Sequence, residues 1–278
     1  MDGKQSLLHQ ETWRIIDQST PHMNFHALQS FAMDDTLCQS VGNGSSPAIA
    51  RTWVHFKTVV LGIQDTKLPA LHEGLQFLEA NRVDWIVRNS GGLAVLLDEG
   101  VLNISLIFPD TEKGIDINRG YDTMLELVRM MFGDIHQPIA AREIVGSYCP
   151  GSYDLSIGGK KFAGISQRRI RRGVAVQIYL CINGSGQERA ALIREFYKQA
   201  RSAESETIIY PQVRPEVMAS LSELLGERLS IQDMMVRLYT ALKSVSERIY
   251  SSQLQGEELE WYAKYYERII DRNKRVLL

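Results

Sequence analysis

Between Gly173 and Ile182 the chain keeps a strict two-residue period. Val174, Val176, Ile178, Leu180 and Ile182 alternate with Ala175, Gln177, Tyr179 and Cys181. Successive side chains of an extended strand point to opposite faces, so this run must sit in a sheet with an apolar face covered. Two shorter strand-like runs precede it, Tyr153 to Ile157 and Lys161 to Ile165, and Gly158-Gly159 between them signals a hairpin. Further runs lie upstream: Thr12 to Asp17, a β-rich stretch Ala50 to Gly62, Trp85 to Val87, Leu93 to Leu97 and Val101 to Phe108. Helical spacing of apolar residues predicts helices over Phe25–Val41, Leu71–Ala80, Gly120–Phe132 and Glu188–Ala200. Past Pro211 and Pro215 three more helices are predicted: Glu216–Leu225, Ser230–Tyr250 and Glu257–Arg272, with Ser230 as an N-cap. The expectation is an α+β chain with a body at 1–205 and a helical C-terminal portion at 206–278.

An apolar content of 44% can fill a sizeable core. Net charge is −2, without the basic excess of a general nucleic-acid binder. No apolar run approaches the ~18 residues that cross a bilayer, and none follows Met1, so neither a membrane span nor a signal peptide is expected. A cytoplasmic protein is the expectation. Three cysteines are too few for a disulfide scaffold, and neither they nor the six histidines have metal-ligand spacing. No metal is expected.

Cys38 and Cys181 lie in regular, partly apolar elements and read as small core residues. Cys149 differs. Its neighbours Gly146, Ser147, Pro150, Gly151 and Ser152 describe an ordered surface loop, where a thiol is accessible. A nucleophilic cysteine also needs a cation to favour its thiolate. Lys161 is the candidate: at a strand start, Lys160 and Lys161 face opposite sides, so one meets solvent and the other a pocket. Arg88-Asn89-Ser90-Gly91-Gly92 lies between two strand-like runs. It reads either as a hairpin turn or as a loop whose backbone approaches a ligand closely. Its spacing fits neither a Walker nor a Rossmann phosphate loop. Arg168, Arg169, Arg171 and Arg172 read either as a solvated loop or as a patch for an acidic partner. Asp34 and Asp35 are adjacent on a helix and do not converge on one point.

Together these stretches resemble a known superfamily. Ser30 to Leu37 (SFAMDDTL), Arg88 to Val95 (RNSGGLAV) with Gly100 to Asn103, and Asp154 to Gln167 (DLSIGGKKFAGISQ) are similar, in order and spacing, to motifs of the lipoate–protein ligases and octanoyltransferases. Gly146 to Ser156 (GSYCPGSYDLS) is most similar to the signature of the lipoyl amidotransferase branch. The resemblance implies a mixed-sheet body of the biotin/lipoate ligase and octanoyltransferase type with flanking helices. It implies a two-step transfer: an octanoyl group leaves a lysine of the glycine cleavage system H protein, rests on Cys149 as a thioester, and passes to a lysine of an E2 lipoyl domain. The family's invariant lysine maps onto Lys161, as stabiliser of thiolate and oxyanion. Arg88, Ser90, Gly91, Gly92 and Gly164 map onto the acyl pocket. Arg168, Arg169, Arg171 and Arg172 are the candidates for partner binding. Neither ATP nor a metal is required, so no cofactor is expected. Relatives that carry a histidine after the glycine-rich motif differ here, since Leu97 stands in that position.

Three other readings remain at this stage: transfer from octanoyl–acyl carrier protein, ATP-dependent lipoate ligation, and a non-catalytic module that docks lipoyl domains. Replacing Cys149 separates the transferases from the rest. Replacing Lys161 by alanine is expected to slow transfer at least tenfold with the fold intact.

Overall fold

A computed structural model describes residues 6–22, 25–110, 114–201 and 210–276. The boundary expected near residue 205 and the opening residues 1–5 lie outside the described residues. In chain order the elements are β1 (Gln10–Gln18), α1 (Ala27–Gly42), β2 (Ile49–Trp53), β3 (Thr58–Leu61), α2 (Leu71–Ala80), β4 (Asp84–Val87), β5 (Val95–Leu97) and β6 (Val101–Pro109). Then come α3 (Ile117–Met131), β7 (Ala140–Ala141), β8 (Asp154–Ile157), β9 (Lys160–Ile170), β10 (Gly173–Cys181) and α4 (Gly186–Gln199). The last elements are α5 (Leu221–Leu225), α6 (Ile231–Ser244), β11 (Ser246–Ser251) and α7 (Glu258–Lys274).

The large sheet has eight strands in the order β11-β1-β2-β6-β10-β9-β8-β7, and a small sheet runs β4-β3-β5. β1 is parallel to both its neighbours, and every other pair of the large sheet is antiparallel. The alternating run forms β10, in full register with β6 on one side and β9 on the other. All nine of its residues are buried. Val174, Val176, Ile178 and Leu180 meet the apolar faces of α3 and α6, while Ala175 lies with Leu37, Cys38 and Val41 of α1. Tyr179 and Cys181 join a third cluster with α2, α4 and the small sheet. Helices therefore cover both faces of the central strands.

The β-rich stretch 50–62 divides into β2 and β3, which belong to different sheets. The helix predicted over Ser230–Tyr250 stops at Ser244, and Ser246–Ser251 pairs with β1 instead. Leu242 to Ile249 is a seven-residue step, which keeps helical spacing and hides the break. Serine hydroxyls end the helix: Ser244 Oγ donates to Ala241 O at 2.7 Å and Ser246 Oγ to Leu242 O at 2.7 Å. The helix predicted over Glu216–Leu225 shrinks to Leu221–Leu225, because Ser220 caps it in a capping box with Glu223. α7 lies along α1, and its first turn is fastened by a buried ion pair, Glu258 to Arg14 at 2.6 Å. No helix among the described residues is long and apolar enough to cross a membrane.

Candidate active site

Cys149 sits on the loop between β7 and β8, in the left-handed backbone region with φ of 44°. A non-glycine residue held there indicates a loop that its surroundings determine. Lys161 supplies much of that hold. The Gly158-Gly159 turn (φ 58° and 78°) closes the β8–β9 hairpin, leaving Lys160 exposed and Lys161 fully buried. Lys161 Nζ donates to Tyr148 O at 2.9 Å and to Cys149 O at 2.8 Å, and pairs with Asp154 Oδ1 at 2.8 Å. Ser147 Oγ also lies 3.3 Å from Nζ, so four oxygens share the three hydrogens of the ammonium. The rings of Tyr148 and Tyr179 each lie 5.9 Å from Nζ. Asp154 Oδ2 accepts from Ile144 N at 3.1 Å and from Ser147 Oγ at 3.4 Å. Burial pushes the Asp154 carboxyl above its usual range, and the Lys161 charge opposes that rise. The lysine thus grips the backbone of the cysteine loop rather than its sulfur.

The sulfur faces the glycine-rich loop between β4 and β5. Leu93 N–H donates to Cys149 Sγ at 3.1 Å, and Arg88 Nη2 lies 3.5 Å from it. The same Nη2 donates to Leu93 O at 2.6 Å, so the guanidinium spans the loop. Gly92 (φ 108°) makes this approach feasible. A Cβ there would overlap Arg88 Nη2 and lie 2.9 Å from Sγ, whereas a Cβ on Gly91 would meet nothing within 4 Å. Of the two readings of this loop, the geometry fits close approach of the backbone to a reacting group.

A cavity of about 300 Å³ opens beside Sγ. It is lined by Cys149, Arg88, Ser90, Gly91, Gly92 and Gly164, and on its apolar side by Phe31, Trp53, Val60, Val95, Leu97 and Ile178. Gly164 pairs with Tyr179 across the sheet, and a Cβ on it would lie 2.8 Å from the Tyr179 ring. Leu97 contributes hydrocarbon to the wall. Arg88 Nε, Ser90 Oγ and Tyr179 Oη are buried without a hydrogen-bond partner, which gives the apolar wall a few polar positions.

The cavity thus gathers Cys149 and all five predicted pocket residues, with Lys161 behind the loop. Leu93 N–H, Tyr148 and Asp154 belong to the arrangement although only their motifs pointed to them. A backbone N–H carries no side-chain signal. Cys38 and Cys181 are fully buried, as expected, and burial pushes both thiols up.

The four arginines separate. Arg168 pairs with the buried Asp35 at 2.7 Å, and Arg169 pairs with Asp110 at 3.3 Å and donates to Ile115 O. Arg171 and Arg172 form the two-residue β9–β10 turn, with φ of 51° and 61°, and are exposed. No carboxylate pairs with them among the described residues. Asp34 and Asp35 diverge, as expected: Asp34 binds Arg51 at 2.7 Å and Ser105 at 2.7 Å, and Asp35 binds Arg168 and Asn89. Among the described residues no three His, Cys, Asp or Glu side chains converge as metal ligands.

A mixed sheet covered by helices, with a loop cysteine and a buried lysine beside an apolar cavity, places the chain in the lipoate–protein ligase and octanoyltransferase class. Lipoate–protein ligase A bound with ATP aligns with a TM-score of 0.70 at 17% identity, over 93% of this chain and 95% of that one. The bipartite archaeal lipoate protein ligase of Thermoplasma acidophilum, described with its E2 lipoyl domain, aligns at 0.67 and 17% identity, over 94% and 93%. The chain belongs to the family of the lipoyl protein ligase A/B catalytic domain, matched over residues 26–243, and within it to the octanoyl-[GcvH]:protein N-octanoyltransferases, which are acyltransferases. The Bacillus velezensis enzyme of that name is 60% identical over 99% of this chain and 97% of its own. The lipoyl-[GcvH]:protein N-lipoyltransferase of Listeria monocytogenes is 52% identical over all of both chains.

Proposed function

We propose that this chain moves an octanoyl group from a lysine of the H protein to a lysine of E2 lipoyl domains through a thioester on Cys149. The observation that carries this reading is the sulfur at the mouth of an apolar cavity, faced by the Leu93 N–H and the Arg88 guanidinium. In the first half, the Cys149 thiolate attacks the octanoyl amide carbonyl. The C–N bond breaks and the departing H-protein lysine takes a proton. In the second half, the neutral amine of the acceptor lysine attacks the thioester. The C–S bond breaks, the attacking nitrogen gives a proton to solvent as the new amide forms, and the thiolate returns, balancing the proton that the departing lysine took from solvent.

Each residue has a part in this. Arg88 and Leu93 N–H face the sulfur and can donate to it as it attacks and as it leaves. Lys161 braces the Tyr148–Cys149 backbone and keeps a positive charge behind the forming oxyanion. Exchanging one of its carbonyl bonds for the oxyanion gives it a direct contact in the transition state. Ser90, Gly91, Gly92 and Gly164 shape the walls that receive the chain, whose burial supplies ~0.8 kcal/mol per CH₂. In this reading 1–205 is the catalytic body, and the C-terminal portion, expected as helices packed on it at 206–278, also lends the body's sheet its edge strand β11. Arg171 and Arg172 remain the foremost candidates for the partner surface, with Arg168 and Arg169 anchoring its base. The cytoplasm is the compartment this reading assigns. A lipoyl group is a second cargo, because a relative of this similarity is named for it.

Intact-protein mass spectrometry after mixing with octanoylated H protein tests the reading. One octanoyl adduct on the native enzyme and none on Cys149→Ala is the expected result. Transfer by Cys149→Ala to an E2 domain would sink the covalent route. Labelling only by octanoyl–acyl carrier protein would move the donor, and labelling by lipoylated H protein would widen the cargo.

A further inference from the structure

The last turn of α7 reaches the end of β4, one residue before Arg88. β4 is an edge of the small sheet, so its outer backbone groups lack a neighbouring strand. Asn273 takes that place at Val87. The Val87 N–H donates to Asn273 Oδ1 at 2.6 Å, and Asn273 Nδ2 donates to Val87 O at 3.0 Å. A side-chain amide thus pairs with a strand as another strand would. The second Nδ2 hydrogen goes to Ile269 O at 3.0 Å, tying the amide to its own helix. Arg272 Nη1 adds a bond to Arg88 O at 3.4 Å. From the opposite side Arg88 N–H donates to Leu61 O at 3.0 Å in β3. The backbone on both sides of Arg88 is therefore held by β3 and by a helix 184–186 residues further along the chain.

The Arg88 guanidinium meets Cys149 Sγ at 3.5 Å, within the reach of a hydrogen bond to the large sulfur atom. A displacement of the β4 end by about 1 Å would carry it out of that reach. We propose that Asn273 is a positioning residue. It pins the end of β4 so that Arg88 faces the Cys149 sulfur, and the seating of α7 becomes a condition for a reactive thiol. The inference rests on the covalent role given to Cys149 above. A purely structural edge cap is the competing explanation, and it affects stability alone.

The test compares Asn273→Ala with Tyr265→Phe. The latter removes a bond to Gln39 Oε1 (2.6 Å) in the middle of α7, away from β4. Three quantities are read at 25 °C or by melting: Tm, single-turnover octanoyl loading across donor concentrations, and iodoacetamide modification of Cys149 located by peptide mass spectrometry. Asn273→Ala is expected to lower the maximal loading rate roughly tenfold, inside the range that ~1 Å misplacements produce. The half-saturating donor concentration stays near that of the native enzyme, and Cys149 modification slows in parallel. Tyr265→Phe lowers only Tm. If Asn273→Ala does not fold, Arg272→Met, which frees only Arg88 O, is expected to slow both rates about threefold. Loading and modification both within twofold of native, in the folded variant, would overturn the proposal. Should the native enzyme fail to load at all, the covalent reading falls. The modification rates then decide the clamp alone: slower in Asn273→Ala supports it, equal overturns it.

Discussion

Replacing Lys161 by methionine removes the cation facing the buried Asp154 and the donor that holds two carbonyls of the cysteine loop. Both side chains of the pair are at most 2% exposed. Breaking a buried pair on one side typically costs about 3–5 kcal/mol, because the remaining charge stays buried without compensation. For a domain of this size ~1 kcal/mol moves Tm by about 2–4 °C, so the loss is on the order of 6–20 °C. A Lys161 variant is therefore expected to keep its fold but to melt at a lower temperature. The deficit also depends on pH. Without the lysine, Asp154 keeps its proton more readily folded than unfolded, so the variant loses stability as pH rises and recovers as pH falls toward the ordinary carboxylate range. Adding Asp154→Asn removes the orphaned charge and is expected to restore more than half of the loss. The two carbonyls still lack a donor, at about 1 kcal/mol each. Thermal melts monitored by circular dichroism, at pH 5 and pH 8, give all four corners of the cycle. A single Lys161→Met variant within ~1 kcal/mol of native at pH 8 would refute the argument.

Other perturbations have equally definite outcomes. Gly92→Ala is expected to abolish octanoyl loading, since it places a methyl against Sγ and Arg88; loading within twofold of native would remove the close-approach argument. Arg168→Glu should destabilise the fold by setting two carboxylates against each other at Asp35. Arg172→Glu should leave Tm unchanged and flatten the salt dependence of transfer to an acidic acceptor, and an unaltered salt dependence counts against the patch. His55 is buried between Phe25 O and Ser30 Oγ with Arg51 nearby, and burial lowers its pKa to about 3. The folded state keeps it neutral while the unfolded chain protonates near pH 6.5, so stability falls on acidification below that point by at most ~1.4 kcal/mol per pH unit from this residue. His55→Gln should flatten the slope of denaturation free energy between pH 6.5 and 4.5, and an unchanged slope would exclude it as the source.

Much of the site was visible in the sequence because its chemistry depends on residue type. A cysteine among glycines and serines, a lysine after Gly158-Gly159, and Gly91-Gly92 after Arg88 each carry a local physical reason. What was not legible depends on tertiary contact. Lysine as cation was correctly placed near the cysteine, yet spacing along the chain could not show that its hydrogens go to carbonyls while Arg88 faces the sulfur. Asp35 showed in the sequence only that it does not converge with Asp34; its partner Arg168 stands 133 residues further along and meets it only in the fold. The Ser230–Tyr250 expectation failed because the seven-residue step from Leu242 to Ile249 stays in helical phase across the break. Only pairing with β1 distinguishes strand from helix there, and β1 is more than two hundred residues away in sequence.

That pairing sets an order of assembly. β2 leaves the ribosome soon after β1 and closes one of its edges, but β11 follows only after roughly 190 more residues, on the order of ten to forty seconds at ~5–20 residues per second. For that interval a nascent strand holding Trp13, Ile15 and Ile16 keeps an open edge, available to any other extended segment. The arrival of β11 therefore closes an edge that would otherwise be a template for pairing with another chain.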